Sequence, residues 1–270
     1  MKRKSSFCLV AFSNHVLLAL TFFLLSEKAF SLDPFYEACE PIKCGDQIIS
    51  YPFRIDGVQS PFCGSPGFIL TCQNHRPLLR LANDNYLLIH KIFYNNHTLR
   101  VSHDSLSSLK NGCFPLVPDI SFDEDNFAIA NNNSPTSTLF LLSNCLSLPK
   151  NLKGYEVGCA GGPRGLVMFS SDGNLDRAPK QCKTEVKVPV EQHGGERAGD
   201  YLQVLKRGFV LKYRSSDCEM CETSGGRCGF NATTLLFQCF CPDTPTTLRC
   251  PRPGIVSLSL PLCPGQQVMI

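Results

Sequence analysis

The chain has 270 residues, with 26 basic and 23 acidic side chains. Four of the basic residues and one acid lie within the first 31 positions, so the remainder carries 22 of each and no net charge. This balance excludes binding of a polyanion through a global positive field. We therefore expect no nucleic-acid partner, and any anionic polymer must be bound by a local patch.

The first 31 residues have the layout of a secretory signal peptide. A basic cluster, Lys2 to Lys4, precedes an apolar run from Val16 to Leu25, and the small residues Ala29 and Ser31 follow at the spacing of a cleavage site. A membrane-crossing helix needs about 20 apolar residues, and this run is much shorter. We predict a signal peptide over 1–31, cleavage after Ser31 and a secreted mature chain.

The cysteine content indicates disulfides, because 15 of the 16 cysteines lie after the predicted signal and secreted chains oxidise their thiols. Fourteen of them form the predicted framework: Cys39, Cys44, Cys63, Cys72, Cys113, Cys145, Cys159, Cys182, Cys218, Cys221, Cys228, Cys239, Cys241 and Cys250. Their pairing stays open. The remaining Cys263 is predicted to be a free thiol.

Short strands are predicted first along the chain, where alternating apolar and β-branched residues are broken by Gly, Pro and Asn. They cover 48–55, 68–71, 86–94 and 98–101. No helix is expected among them. We assign this part, 32–120, to a first small module.

The rest of the chain is predicted as a polar linker over 121–136, a cysteine-rich module over 137–250 and an aberrant or truncated tail over 251–270. Apolar residues 138–142 and the alternating 185–190 indicate strands, and the window from Tyr201 to the terminal Gly208 suits a short helix. The predicted fold class is mostly β and disulfide-rich, with two small β-rich modules and a short helix possible in the second.

Several patterns could carry chemistry but have simpler interpretations. The pair Cys218 and Cys221 could be a redox or zinc motif, but in a secreted chain structural disulfides are favoured. The acids at 123–125 could bind calcium or act as glycosidase carboxylates, but adjacent residues on one polar segment are more typical of a surface loop. The glycines at 161–165 indicate a turn.

No nucleophile elbow, kinase signature or H-E-x-x-H pattern occurs in the sequence. We therefore predict a protein that is not an enzyme and that has no cofactor and no metal site.

Recognition of a glycan is the function that the first module suggests. Aromatic faces stack on sugar rings, and arginine forks match uronate carboxylates. The candidate ligand-binding residues are Tyr51, Phe53, Arg54, Arg80, Lys91, Tyr94 and Arg100. Sequons predict glycosylation at Asn96, Asn132 and Asn231.

Two ordered sets of motifs carry a resemblance to a plant family. The first runs Cys44-Gly45-x5-Tyr51-Pro52-Phe53, Pro61-x-Cys63-Gly64-x-Pro66-Gly67-Phe68-x-Leu70-x-Cys72 and Ile92-x-Tyr94 before Leu99-Arg100-Val101. It resembles the galacturonan-binding domain of wall-associated receptor kinases. The second runs Cys182-x5-Val188-Pro189-Val190, Gly208-Phe209-x-Leu211, Cys218-x2-Cys221-x2-Ser224-Gly225-Gly226-x-Cys228-Gly229 and Phe237-x-Cys239-x-Cys241-Pro242-Asp243. It resembles their C-terminal domain, in the arrangement of leaf-rust-resistance-like receptor kinases and of membrane RING-finger proteins with the same modules.

The resemblance implies an extracellular receptor-like ectodomain that binds pectin-like polysaccharide in the apoplast or cell wall, with a membrane receptor as a further partner. Full-length members of the family would lie at the plasma membrane. In this chain the residues after Cys250 are too few and too interrupted by proline for a transmembrane segment, so we expect none. The alternatives left open are a peptide-recognition ectodomain or decoy, and a wall enzyme or inhibitor.

Overall fold

A computed structural model describes residues 32–251, apart from 82–84, 111, 131–135, 147, 179, 181, 232, 235 and 244–247. The predicted signal peptide, the tail from 252 onwards, Asn132 and Cys263 lie outside the described residues.

Strands dominate the fold. In chain order they are β1 (Ile42–Cys44), β2 (Gln47–Ile49), β3 (Arg54–Ile55), β4 (Ile69–Gln73), β5 (Arg76–Arg80), β6 (Tyr86–Phe93), β7 (Thr98–His103), β8 (Phe127–Ile129), β9 (Thr136–Cys145), β10 (Glu156–Gly158), β11 (Arg164–Phe169), β12 (Cys182–Glu191), β13 (Phe209–Tyr213), β14 (Arg227–Phe230) and β15 (Phe237–Phe240). The α-helices are α1 (Pro34–Ala38), α2 (Tyr201–Arg207) and α3 (Glu219–Thr223), and single turns of 3-10 helix lie between strands. The mostly β, disulfide-rich class with a short helix in the second half is confirmed.

The largest sheet has seven strands in the order β3-β4-β5-β6-β7-β13-β8. Its inner face buries alternate residues such as Leu87 and Ile89 of β6 and Leu99 and Val101 of β7. The alternation of apolar and polar residues in these segments therefore indicates a sheet that has one face in the core. The predicted strand over 48–55 is interrupted, because the chain turns at Tyr51-Pro52 and Phe53 N–H donates to the Ser50 carbonyl.

Contacts in this sheet cross the predicted module boundary. β13, from the second half, pairs with β7 through Leu211 and Leu99, and with β8 through Tyr213 and Phe127. Phe127 is 4% exposed and belongs to the same core. The predicted polar linker over 121–136 is therefore wrong around Phe127, which is part of the sheet.

A second sheet, in the order β10-β11-β9-β12, lies in the second half and matches the strands predicted at 138–142 and 185–190. Helix α2 packs Tyr201, Leu202, Val204 and Leu205 against one face of this sheet. The helix ends at Gly208, whose φ of 77° lies in the left-handed region and whose Cα faces the Val101 carbonyl without room for a side chain. The predicted helix and its terminal glycine are confirmed.

Seven disulfides use all 14 framework cysteines. They join Cys39 to Cys63, Cys44 to Cys72, Cys113 to Cys159, Cys145 to Cys182, Cys218 to Cys228, Cys221 to Cys239 and Cys241 to Cys250. Because Cys218 and Cys221 bond to different partners, they are neither a redox pair nor a zinc half-site. The interpretation as structural disulfides is confirmed.

The last three disulfides close a knot around one glycine. A Cβ on Gly226 would lie 2.5 Å from the Cys239 sulfur, 2.7 Å from that of Cys221 and 2.8 Å from that of Cys250. The preceding Gly225 has a φ of 84°, as its turn requires, so the two glycines serve different purposes.

We expect Gly226→Ala to prevent correct closure of this knot, because its methyl group has no space among the three sulfurs. Overpacking of this kind costs about 1–3 kcal/mol, and here it also displaces disulfide partners. Thermal unfolding and a mass-spectrometric count of alkylated thiols should show a lower Tm and free thiols. Gly173→Ala, which adds its methyl group to open space, is the control and should behave as the native chain.

A buried histidine makes stability depend on pH. His103 ends β7 on the inner face, is 2% exposed, and its Nε2 has no hydrogen-bond partner among the described residues. Burial lowers its pKa from 6.5 to about 4. The unfolded chain therefore binds a proton below pH 6.5 that the folded chain does not, and stability is lost as pH falls from 6.5 towards 4.

We expect His103 to account for a loss on the order of 3 kcal/mol in unfolding free energy across that interval. Denaturant unfolding at a series of pH values should show that His103→Leu flattens the dependence. The exposed His193, changed to Gln, provides the control. An unchanged slope in the His103 variant would contradict this assignment.

Candidate functional site

A row of cations lies on the outer face of the seven-stranded sheet. Lys91 of β6 is directly opposite Arg100 of β7, and Arg100 is opposite Val210 of β13. Lys212 of β13 is opposite Thr98, two residues from Arg100, so its side chain is on the same face. We call Lys91, Arg100 and Lys212 the basic face.

Arg100 is held in place by Glu191, at the end of β12. Its Nη1 donates to Glu191 Oε2 at 2.6 Å and its Nη2 to Oε1 at 3.1 Å. The Glu191 side chain is 10% exposed, and Arg207 donates to its backbone carbonyl. This bidentate pair fixes the guanidinium and offsets its charge. Lys91 and Lys212 are exposed and form no ion pair with any residue described, so the basic face keeps an excess of positive charge.

The positive charge of the basic face affects the neighbouring His90. It is the extra residue at an irregularity in the β6–β7 pairing, and its Nε2 lies 2.8 Å from the Ser102 hydroxyl. Burial, followed by the charges of Arg100 and Arg76, lowers its pKa. Phe93, 36% exposed and opposite Thr98, adds an aromatic ring to the same face. Cations and a ring therefore meet where a uronate polymer could lie.

The seven predicted ligand-binding residues do not form one site. Lys91 and Arg100 share the basic face, and Arg80 of β5 lies on the same side of the sheet, opposite Tyr86. Arg54, on the edge strand β3, bonds to Asp56 at 3.1 Å.

Phe53 was wrongly predicted as a contact. It is fully buried, and its ring packs edge-on against Phe68 and Tyr213 at centroid distances of 5.5 and 5.0 Å. Aromatics at strand spacing point to either face, and this one forms the core.

The other two predicted residues, Tyr51 and Tyr94, line a separate cleft of about 600 Å³. Its lining also includes Ser50, Pro52, Asn95, His97, Tyr213, Ser215, Ser216, Asp217, Cys218, Glu219, Glu222 and Thr223. The Tyr94 hydroxyl donates to the Ile48 carbonyl and accepts from Ser50 N–H, both at 2.9 Å. Tyr51 is 7% exposed and meets Phe237 edge-on. We call this the acidic cleft.

The charge of the acidic cleft is opposite to that of the basic face. Three carboxylates, those of Asp217, Glu219 and Glu222, lie in its wall, and none of its lining residues is a lysine or arginine. Partial burial raises the pKa of Glu222, although its side chain reaches solvent. A polyanion would therefore be repelled here.

Sequence reasoning missed Lys212 and the whole second wall of the acidic cleft. The alternation of Phe209, Leu211 and Tyr213 placed Lys212 on the opposite side of its strand, but nothing local indicated that β13 pairs with β7. Residues 215–223 follow the same strand and reach Tyr51 and Tyr94 only because of that pairing.

The other candidate positions can also be placed. Among the residues with defined placement, the one group close enough to share a metal ion is Cys239, Cys241 and Cys250, and all three are in disulfides. The acids at 123–125 lie in an exposed loop, where Asp123 accepts from Asp125 N–H and from Asn126. This confirms the surface-loop interpretation. Asn96 and Asn231 are exposed, and their glycosylation stays a prediction.

Two family models match the chain. The galacturonan-binding domain of wall-associated receptor kinases matches residues 39–103, and the C-terminal domain of the same kinases matches residues 165–244. The first match contains Lys91 and Arg100, and the second contains Glu191, Lys212 and the carboxylates of the acidic cleft.

Similar proteins are known from Arabidopsis thaliana. The leaf rust 10 disease-resistance locus receptor-like protein kinase-like 1.2 is 33% identical over 83% of this chain and 35% of its own length. The 2.8 protein of that series is 28% identical over 79% of the chain and 25% of its length, and the RING-H2 finger protein ATL22 is 22% identical over 77% and 54%. The chain thus spans about a quarter to a half of these relatives.

No solved structure matches the chain. Within the described residues, every helix is too short or too polar to cross a membrane. The two matched domains are ectodomain modules, and they occur here in the order that the sequence motifs predict. The chain therefore carries two domains of the wall-associated receptor kinase ectodomain type, the galacturonan-binding module followed by the C-terminal module.

Proposed function

We propose that this chain is a non-catalytic ectodomain that binds pectin-like galacturonan in the cell wall, and that the basic face is the contact surface. The observation that carries the proposal is the cross-strand row of Lys91, Arg100 and Lys212, since it supplies local positive charge on a chain whose overall charge beyond residue 31 is zero. Lys91 and Arg100 lie in the segment that matches the galacturonan-binding domain, and Lys212 lies on the strand that pairs with its last strand.

The chemistry suits a polymer that carries one carboxylate on each sugar. Adjacent strands lie about 4.8 Å apart, so Lys91 and Arg100 are close together across the sheet. Lys212 is two residues further along β13 from the position opposite Arg100. Lysines act as point charges that tolerate several carboxylate positions, whereas Arg100 is already oriented by Glu191. Phe93 offers a face for a sugar ring.

Secretion by way of the predicted signal peptide would bring the chain to the apoplast, where such polymers occur. A membrane receptor is a further partner in this proposal. Peptide recognition is the second candidate function, and the acidic cleft is the observation that favours it, because its charge is wrong for galacturonan.

Lys91→Glu combined with Lys212→Glu should weaken binding of an oligogalacturonide by at least about tenfold at low ionic strength, because two attractive charges become repulsive. Isothermal titration of the secreted chain measures this. Both side chains are exposed, so the variant should fold as the native chain does. Reversal at Arg100 is a poorer test, since it would leave Glu191 facing a second carboxylate.

Lys150→Glu with Lys153→Glu is the matched control. Both lysines are exposed, lie in the second half and change the net charge by the same amount. If the control loses affinity as much as the test variant, the effect is one of net charge and the basic face is not the site. If the native chain shows no binding at low ionic strength, the glycan proposal fails.

A further inference from the structure

The acidic cleft is not explained by binding of a polyanion. It is about 600 Å³ in volume, has carboxylates at Asp217, Glu219 and Glu222, and contains no lysine or arginine. It is also formed from both halves of the chain, with Tyr51 and Tyr94 on one wall and the segment after β13 on the other. Such a cleft selects a ligand of positive charge.

The aromatic residues favour the same ligand. Tyr51, Tyr94 and Tyr213 all line the cleft, and the ring of Tyr94 is only partly buried. The face of a tyrosine ring attracts ammonium and guanidinium groups. Long basic side chains also carry an apolar stem, which can pack on the rings while the charged end reaches a carboxylate.

Tyr213 provides an independent indication that something binds here. Its side chain is 1% exposed, and its hydroxyl has no hydrogen-bond partner in the described part of the chain. Tyr94, by contrast, has both a donor and an acceptor. Buried hydroxyls without a partner destabilise a fold unless a ligand supplies one.

Tyr213 is one of the residues that line the cleft. Burial, together with the nearby Tyr94 and Glu222, raises its pKa well above the ordinary value, so the hydroxyl stays protonated. The hydroxyl is therefore a hydrogen-bond donor that lacks an acceptor. Tyr94 and Glu222, which help to raise its pKa, both line the cleft. A peptide backbone offers carbonyl acceptors close to its side chains, which a simple cation does not.

We propose that the acidic cleft binds a basic peptide segment of a protein partner, with lysine or arginine side chains on the Tyr94 ring and against Glu219 and Glu222, and a backbone carbonyl on the Tyr213 hydroxyl. This site is separate from the basic face. The inference rests on the second candidate function, peptide recognition, and specifies the ligand and its contacts. The chain would then hold an anionic polymer and a basic peptide on two surfaces at once.

The test uses the full secreted chain and a fluorescein-labelled hexa-arginine peptide, followed by fluorescence anisotropy at low ionic strength. Saturable binding is expected, with none for a hexa-glycine peptide, which carries no side-chain charge. Glu219→Gln with Glu222→Gln should weaken it about tenfold or more, since these changes remove charge and preserve shape. Glu37→Gln with Asp176→Asn removes the same charge from exposed positions outside the cleft and should leave affinity unchanged.

A second pair of variants separates binding from folding. Tyr213→Phe removes the unpaired hydroxyl, so its Tm should equal or exceed that of the native chain while peptide affinity falls several-fold. Tyr201→Phe removes a hydroxyl that donates to the Cys113 carbonyl at 2.7 Å, so its Tm should fall and its affinity should not change.

The proposal is overturned if the native chain does not bind the peptide saturably, or if the carboxamide variant binds as tightly as the native chain. Tighter binding of a fully methyl-esterified oligogalacturonide, lost in Tyr213→Phe, would assign the cleft to a neutral glycan instead. The two proposals fail independently. Lys91→Glu with Lys212→Glu should retain peptide binding, and Glu219→Gln with Glu222→Gln should retain oligogalacturonide binding.

Discussion

The pairing of β7 with β13 is the contact on which both candidate surfaces depend. It joins segments from the two halves of the chain, with Leu99 opposite Leu211 and Arg100 opposite Val210. Because successive side chains of a strand point to opposite faces, Lys212 goes to the outer face and Tyr213 to the inner one. One strand thus supplies a cation to the basic face and a hydroxyl to the acidic cleft. A shift of one residue in this register would exchange them and destroy both.

Opposite charges are separated on a chain that is neutral beyond its first 31 residues. Lys91, Arg100 and Lys212 are gathered on one side of the sheet, whereas Asp217, Glu219 and Glu222 follow the end of the same strand. Charges this close to solvent are screened within about 10 Å at 0.1 M salt, so a ligand responds mainly to the charges of the surface that it contacts. The net charge of the chain predicts neither the basic face nor the acidic cleft.

Much of the local structure could be predicted from the sequence, because strands and helix ends leave patterns in neighbouring residues. Alternation over Tyr86–Phe93 and Thr98–His103 marks β6 and β7, and Gly208 marks the end of α2. The 14 framework cysteines were countable, although their pairing was not. Phe53 shows what alternation cannot predict. The pattern placed Phe53 in a strand but did not indicate which face of that strand was buried.

The sites themselves could be predicted only in part. Lys91 and Arg100 follow from strand position, but Lys212 joins them through a contact between distant segments, and residue spacing carries no information on that register. The buried Glu191, which orients Arg100, comes from β12 in the other sheet. Tyr51 and Tyr94 were assigned to a glycan surface because the opposite wall of their cleft, with its carboxylates, was invisible to local patterns.

The disulfide knot gives the acidic cleft its rigidity. Cys218 and Cys221 flank Glu219 and tie α3 to β14 and β15, and Glu222 follows directly. A helix of five residues has little stability of its own, so these bonds, with Gly226 packed among their sulfurs, hold it in place. The backbone that carries the carboxylates is thus fixed before any ligand arrives, which lowers the entropy lost on binding. The cysteine framework, first a sign of an oxidising compartment, is also what keeps one wall of a recognition site in position.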